Sequence, residues 1–251
     1  MKLRQRISNQ PIKKDINPSK MPLYGSIQGS YGIGRAPYVL GGVSVLVIYD
    51  IVTPDTMALV NYLNDNRVRS QLVPRSTYNG TNPPPSRYTT VIMLDGTTYT
   101  EDLDAGAQTA LKNFVAGGGK FITSEWDAYQ VDRGRLTSMT DLVLLTRFSA
   151  VTAPRTYVID PVYAAHPIFN GFSGTIPMPL TGYNQGPITV FGVQPAIRIA
   201  SHQGASDEAA IVIRTYGSGK IVHFSFAGGN YFAGVLSNAN VLRLMYNAVL
   251  W

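Results

Sequence analysis

The chain has 251 residues, 45% of them hydrophobic, no cysteine and a formal net charge of +6. That is enough apolar material for one substantial core, while the absence of cysteine excludes disulfides, thiolate catalysis and cysteine-based metal sites. No apolar run reaches the roughly 18 residues of a membrane helix, and the basic start MKLRQRISNQ lacks the apolar stretch of a secretory signal. These features predict a protein of the cytoplasm or of a virion or similar particle, with no membrane contact.

The charge is unevenly placed. Of the 21 Lys and Arg and 15 Asp and Glu, seven basic residues and one acidic residue fall in residues 1–40, leaving 14 of each sign for the rest. Lys2, Arg4, Arg6, Lys13, Lys14, Lys20 and Arg35 stand against Asp15 alone, among prolines, glycines, Tyr24 and Tyr31. Without apolar periodicity such a segment cannot build a core. Residues 1–40 are therefore expected to form a basic extended arm, with residues 41–251 as the folded domain. A basic arm on a neutral body is an interaction device. Its expected partners are protein subunits of its own assembly, contacted through those basic residues, Tyr24 and Tyr31. Nucleic-acid binding by phosphate neutralisation ranks below that.

From Val43 the pattern becomes regular. VSVLVIYD (43–50) reads as a strand covered on both faces. Pro54 opens a helix, PDTMALVNYLNDN, with Met57, Val60 and Leu63 on one face. Arg69 to Val73 is a second strand, STYNGTNPPPSR a loop held extended by its prolines, and TVIML (90–94) a third strand. Asp104 then begins DAGAQTALKNFVAGGGKFITSEWDAY: an amphipathic helix, a Gly117-Gly118-Gly119 stop, a strand over Phe121–Ser124, and a polar, aromatic turn. This alternation is the signature of βαβ units on a parallel sheet. Beyond Tyr129 the rhythm loosens. MTDLVLLTRF (139–148) fits helix or strand, HPIFNGF (166–172) is turn-rich, and PITVFGV and AIRIAS resemble strands. EAAIVIRTYG and GKIVHFSF flank Gly217-Ser218-Gly219 as a hairpin. A last helix, SNANVLRLMYNAVLW, is capped by Asn238 or Ser237 and buries Val241, Leu244, Met245, Ala248 and Val249.

Four of these pieces, VSVLVIYD, YTTVIMLDGTTYTEDLDAGAQTALKNFVAGGGKFITS, HPIFNGF and EAAIVIRTYGSGKIVHFSFAGGNYF with its terminal helix, cover roughly residues 43–251. Their order resembles the class I glutamine amidotransferase-like superfamily, above all its ThuA-like branch and the trimerisation domain of family 42 β-galactosidases. The resemblance implies an α/β fold: a flavodoxin-like, mostly parallel sheet with helices on both faces, plus the extended N-terminal arm. Catalytic members of that fold place a Cys at the elbow after the strand that GGG precedes, and a His and Glu near the last strands. Here the elbow falls at about Glu125, and Phe226 is followed by Ala227-Gly228-Gly229. A hydroxyl or carboxylate without a base is a poor nucleophile, so the resemblance implies the scaffold without the activity.

The candidate chemistry is then narrow. Asp50, Asp95, Glu125 and Asp127 all follow predicted strands, so the carboxyl edge of a parallel sheet would gather them. There they could bind a divalent cation or serve as acid and base on a sugar, although capping helices and bonding loop N–H groups is the plainer role. Trp126 and Tyr129 offer an aromatic platform for a sugar or for a neighbouring chain. His223 on a strand and His166 before Pro167 read as structural. His202 is loop-borne, and a Ser124/His202/Asp207 arrangement is the remaining nucleophilic option, without the G-x-S-x-G that would support it. The glycine-rich pieces (Gly25 to Gly34, and Gly217 with Gly219) lack the strand–loop–helix setting of a phosphate cradle. The sequence thus favours a non-catalytic assembly protein without cofactor. The alternative is a ThuA-like carbohydrate-processing hydrolase, or a ligand-sensing domain, using Ser124, Glu125, Asp127 and His202.

Overall fold

The computed structural model describes residues 42–147, 150–184, 195–229 and 233–251. The arm, its glycine-rich piece and the PITVFGV segment lie outside these residues. The chain order is β1 (Ser44–Tyr49), α1 (Pro54–Asp65), β2 (Arg69–Pro74), β3 (Thr90–Leu94), α2 (Ala105–Ala116), β4 (Lys120–Thr123), α3 (Glu125–Asp132), β5 (Ala150–Ile159), β6 (Thr175–Asn184), β7 (Ile197–His202), β8 (Ala205–Tyr216), β9 (Gly219–Phe224) and α4 (Ala239–Leu250). One nine-stranded sheet runs β2-β1-β3-β4-β9-β8-β7-β5-β6. The first five strands are parallel; the other four are joined antiparallel.

Because side chains alternate along a strand, β1 feeds two cores. Val45 and Val47 pack with Leu59, Val60 and Leu63 of α1 and Val241, Leu244 and Met245 of α4. Leu46 and Ile48 pack on the opposite face with Leu111 and Val115 of α2. Each fully buried Leu, Ile or Val contributes about 1.5–3 kcal/mol, and the β1 run is covered on both faces as its composition demands. The helices start where the sequence signals them. Thr53 caps α1 ahead of Pro54, the Asp104 carboxylate accepts from the N–H groups of Gly106 and Ala107, and Asn238 accepts from Asn240 and Val241. Ser237 instead bonds Asp55, pinning the start of α4 to α1.

Several segments depart from the sequence reading. The stretch after Ser124 is not a turn: it is the two-turn helix α3, buried at Glu125, Trp126, Asp127, Ala128 and Gln130. Residues 139–147 form neither helix nor a full strand, but a 3-10 turn at Thr140–Leu142 followed by buried irregular chain. The proline-rich loop bends through one-turn 3-10 segments at Arg75–Thr77 and Pro85–Arg87. Two long strands, β5 and β6, carry prolines that masked them. Pro154 falls where the β5–β6 register shifts, between Ala153 and Arg155, and β6 is the edge strand. Bulges and edges are where a strand tolerates proline.

The antiparallel half also curls back on itself. Asn184 N–H donates to Ser225 O at 2.8 Å, Ala227 N–H donates to Gly182 O at 2.8 Å, and Tyr183 bridges Phe226. The C-terminal part of β6 is thereby paired to the chain leaving β9. This brings Tyr157, Tyr183, His202 and Ser225 into one buried cluster beside the carboxyl edge of the parallel strands.

Candidate functional site: a carboxyl cluster at the strand ends

The parallel strands deliver their acidic residues to one edge. Asp50, after β1, accepts from the N–H groups of Ile51 (2.7 Å) and, across to the loop after β3, Thr97 (2.6 Å). Asp95, after β3, accepts from the Gly96 N–H at 2.8 Å and the Thr98 hydroxyl at 3.2 Å. Both carboxylates therefore bond loop donors. Asp95 also receives the Gln130 amide and stands 3.8 Å from the buried Arg75 guanidinium, which donates to Glu101 O at 2.6 Å. Gly229 passes so close that a Cβ there would lie 1.9 Å from Asp95 O; only glycine fits this crossing.

Glu125 and Asp127 occupy the first turn of α3, directly after β4. Glu125 is 1% exposed. Its carboxylate lies 2.8 Å from Arg147 Nε, an ion pair whose N–H is not aligned for a hydrogen bond. Asp127 is wholly buried: one oxygen accepts from the Thr123 hydroxyl and the other has no hydrogen-bond partner among the described residues. Burial raises the carboxyl pKa values. Asp127 is pushed up to about 8 by burial and then by the Asp95 charge. Glu125 rises to about 7, driven by burial, restrained by Arg147 and raised further by Asp95. Asp95 itself is raised by burial against the opposing pull of Arg75. Asp127 thus retains its proton at neutral pH, and Glu125 is poised between its two forms.

An aromatic trio covers α3. Tyr99 stacks on Trp126 with ring centroids 5.1 Å apart, and Tyr129 meets both edge-on at 5.4 and 5.7 Å. The Arg147 guanidinium lies 4.4 Å from the Tyr129 ring centroid and Arg133 lies 5.1 Å from it. Arg147 therefore binds α3 twice, through a carboxylate and through a ring face.

The histidines are engaged elsewhere. His202 ends β7 with Nε2 3.1 Å from Ser225 Oγ, which is 2.9 Å from the Tyr157 hydroxyl. Tyr157 and Tyr183 present edges to its ring, and burial lowers its pKa to about 4. The serine that His202 meets is Ser225, while Asp207 is exposed on β8. Ser124 Oγ is buried without a hydrogen-bond partner among the described residues. His223 Nδ1 accepts from Leu144 N–H at 3.0 Å, and burial takes its pKa to about 3. His166 caps a 3-10 turn by accepting from Ile168 N–H. Among the described residues no group of three or more His, Asp or Glu side chains is arranged to hold a metal ion, and no helix is long and apolar enough to cross a membrane.

The gathering of four carboxylates at one edge is legible in the sequence; the contributions of Arg75, Arg147, Gln130, Tyr99 and Ser225 are not. Gln130 had a usable signal: it lies three residues after Asp127, hence on the same helical face. The arginines had none, because each reaches its carboxylate from a distant segment.

A flavodoxin-like parallel half with an antiparallel extension would describe many α/β proteins. At the β4–α3 elbow the Glu125 N–H donates to Phe226 O at 3.1 Å, tying the elbow to the chain that leaves β9 just before the Gly228-Gly229 crossing. Solved structures that share this arrangement of strands and helices show the fold to be the class I glutamine amidotransferase-like one. The chain is similar to a putative ThuA-like protein from Bacteroides uniformis, with TM-score 0.61, 13% identity, and coverage of 87% of this chain and 94% of that one. It is also similar to a putative GMP synthase component from Thermoplasma acidophilum, with TM-score 0.55, 10% identity, and coverage of 82% and 92%. A β-galactosidase from Bacillus circulans matches with TM-score 0.55 and 12% identity over 83% of this chain, which corresponds to 30% of the enzyme. No family model and no curated protein matches the sequence.

Proposed function

We propose that the chain is a non-catalytic α/β building block, with residues 41–251 as its body and residues 1–40 as the arm that joins it to neighbouring subunits of an assembly such as a virion or other large particle. The observation that carries this reading is the state of the elbow. Position 125 holds a carboxylate that is buried and ion-paired with Arg147, while the side chains of His202 and His223 are bonded to Ser225 and Leu144. A nucleophile needs exposure and a base, and this residue has neither. The segregated charge of the arm supplies the other half of the reading.

The deciding measurement is the native mass of the full chain beside a version lacking residues 1–40. Assembly by the full chain and a folded, smaller species after truncation support the reading. Identical monomers of unchanged thermal stability refute it. One feature favours a second reading, a ThuA-like carbohydrate-processing or ligand-sensing domain: near neutral pH Asp127 holds its proton and Glu125 is poised between its two forms, beside three aromatic rings. Saturable sugar binding abolished by Glu125→Gln would favour that alternative.

A further inference from the structure

A sheet ends in two edge strands, and each presents N–H and C=O groups on which another strand can build. Here the edges are β2 and β6. The ten residues of β6 run for roughly 33 Å, long enough to recruit a strand from a second molecule. Leu180, 57% exposed on this strand, adds apolar surface to the edge. The backbone of β6 nevertheless offers such a partner almost nothing.

The direction of each backbone group follows from the pairing on the far side of β5. Thr156 O accepts from the Gln203 N–H at 2.9 Å, so it points to β7. Successive residues of a strand direct their N–H and C=O to opposite sides. Arg155 and Tyr157 therefore point to β6, where they meet Met178 and Ile176. Thr175, Pro177 and Pro179 consequently turn their backbone groups away from β5, to the free side. The Thr175 N–H is taken by Ser173 O at 2.7 Å. Pro177 and Pro179 have no N–H to offer. Their carbonyls are occupied as well: Pro177 O accepts from the Asn240 amide at 2.7 Å, and Pro179 O accepts from the Tyr183 hydroxyl. Beyond the register shift, Gly182 O accepts from Ala227 and the Asn184 N–H donates to Ser225. Proline alone would account for the missing donors, but not for a cap on each of the two proline carbonyls.

Strand β2 uses the same device in a shorter form. The Ser70 N–H donates to Asn64 Oδ1 at 3.2 Å instead of to a strand, and Pro74, in the same outward row, has no N–H. That row of β2 keeps at most one donor, the N–H of Leu72.

We propose that Pro177, Pro179, Asn240 and Tyr183 seal the β6 edge against a second copy of the chain, so that copies of this protein do not join by extending their sheets. The sealed row is the one that a homodimer paired through β6, antiparallel about a twofold axis, would need. The proposal is independent of the assembly reading, because a sealed edge leaves every other surface of the chain available for contact.

The test is the native mass of the full chain by analytical ultracentrifugation over a range of concentrations, beside Pro177→Thr/Pro179→Thr/Asn240→Ala. This variant restores two donors with a residue suited to strands and uncovers one carbonyl. Amide exchange at positions 177 and 179 is followed in the same samples. The variant should reach twice the mass of the parent as concentration rises, with those two amides slowed in the heavier species. Because mass is read relative to the parent, the result does not depend on whether the parent itself assembles. A folded variant with the parent's mass at every concentration overturns the proposal. So does a heavier species whose amides at 177 and 179 exchange as freely as in the lighter one, since another surface then makes the contact. If the triple variant does not fold, the same two readouts on Pro177→Thr/Pro179→Thr, which keeps Asn240 at the start of α4, decide between these outcomes.

Discussion

Asp127→Asn tests the carboxyl cluster directly. In the folded protein the Asp127 carboxyl titrates at about 8 against an ordinary value of 3.8. A raised acid pKa means the folded state holds a proton that the unfolded chain has released. The resulting stability is fully present below pH 4 and is lost progressively as pH rises to about 8. At about 1.4 kcal/mol per unit, the full span is on the order of 5 kcal/mol; relaxation and water entry in the charged state reduce it, leaving several kcal/mol to observe. Asparagine is close in shape to the protonated acid and still accepts from the Thr123 hydroxyl. The variant should therefore match the parent near pH 4 and exceed it by several kcal/mol at pH 9. Urea unfolding followed by tryptophan fluorescence at pH 4, 6, 8 and 9 measures this, with Trp126 of the same helix as one of two reporters. A variant that loses the same stability at every pH, with an unchanged slope, would show that Asp127 is ionised in the fold and would refute the reasoning.

Other consequences can be checked in the same assay. Arg147→Met removes the charge that restrains the Glu125 pKa, so it should cost little near pH 5 and about 3–5 kcal/mol at pH 9, where Glu125 must ionise without a partner, whereas Arg147→Met with Glu125→Gln should recover most of that loss; equal losses at every pH would mean that the pair contributes nothing. On the acid side, His202 and His223 are held at about 4 and about 3. Their depressed values contribute stability that is present above about pH 6.5 and is lost as pH falls toward 3, so His223→Gln should flatten the acid limb. Gly229→Ala must displace backbone at Asp95 and should cost over ~2 kcal/mol, while Gly134→Ala, which meets nothing within 4 Å, should cost only about 1 kcal/mol for its positive φ.

The legibility of this chain follows the range of its interactions. Strands β1 and β3 and helices α1, α2 and α4 were readable because their apolar period, caps and glycine stops lie within a dozen residues. Helix α3 was not, since Glu125, Trp126, Asp127 and Gln130 are all buried and leave no amphipathic contrast. Strands β5 and β6 were hidden by Pro154, Pro177 and Pro179, which bulge and edge positions accommodate. Sheet order decides the rest. Asp50, Asp95 and Glu125 follow three strands of one parallel set, so their common edge could be foreseen. His202 and Ser225 meet because β7 and β9 flank β8, a relation that no local motif encodes.

That contrast explains why the elbow reads as a support. A glutamate at position 125 on an exposed turn would be ionised and solvated, free to act. Here it is the first residue of a buried helix, and three forces act on it: desolvation, Arg147 and the Asp95 charge. Arg147 does not offset the desolvation, yet it cannot leave without exposing the Tyr129 face to which it is also bound. The carboxyl, the guanidinium and the ring form one unit that fastens α3 to the chain preceding β5. Freeing Glu125 for chemistry would require breaking that unit, at a cost of several kcal/mol, before any substrate is bound. On the reading proposed above, position 125 serves as a fastening, held by Arg147, which also lies over Tyr129.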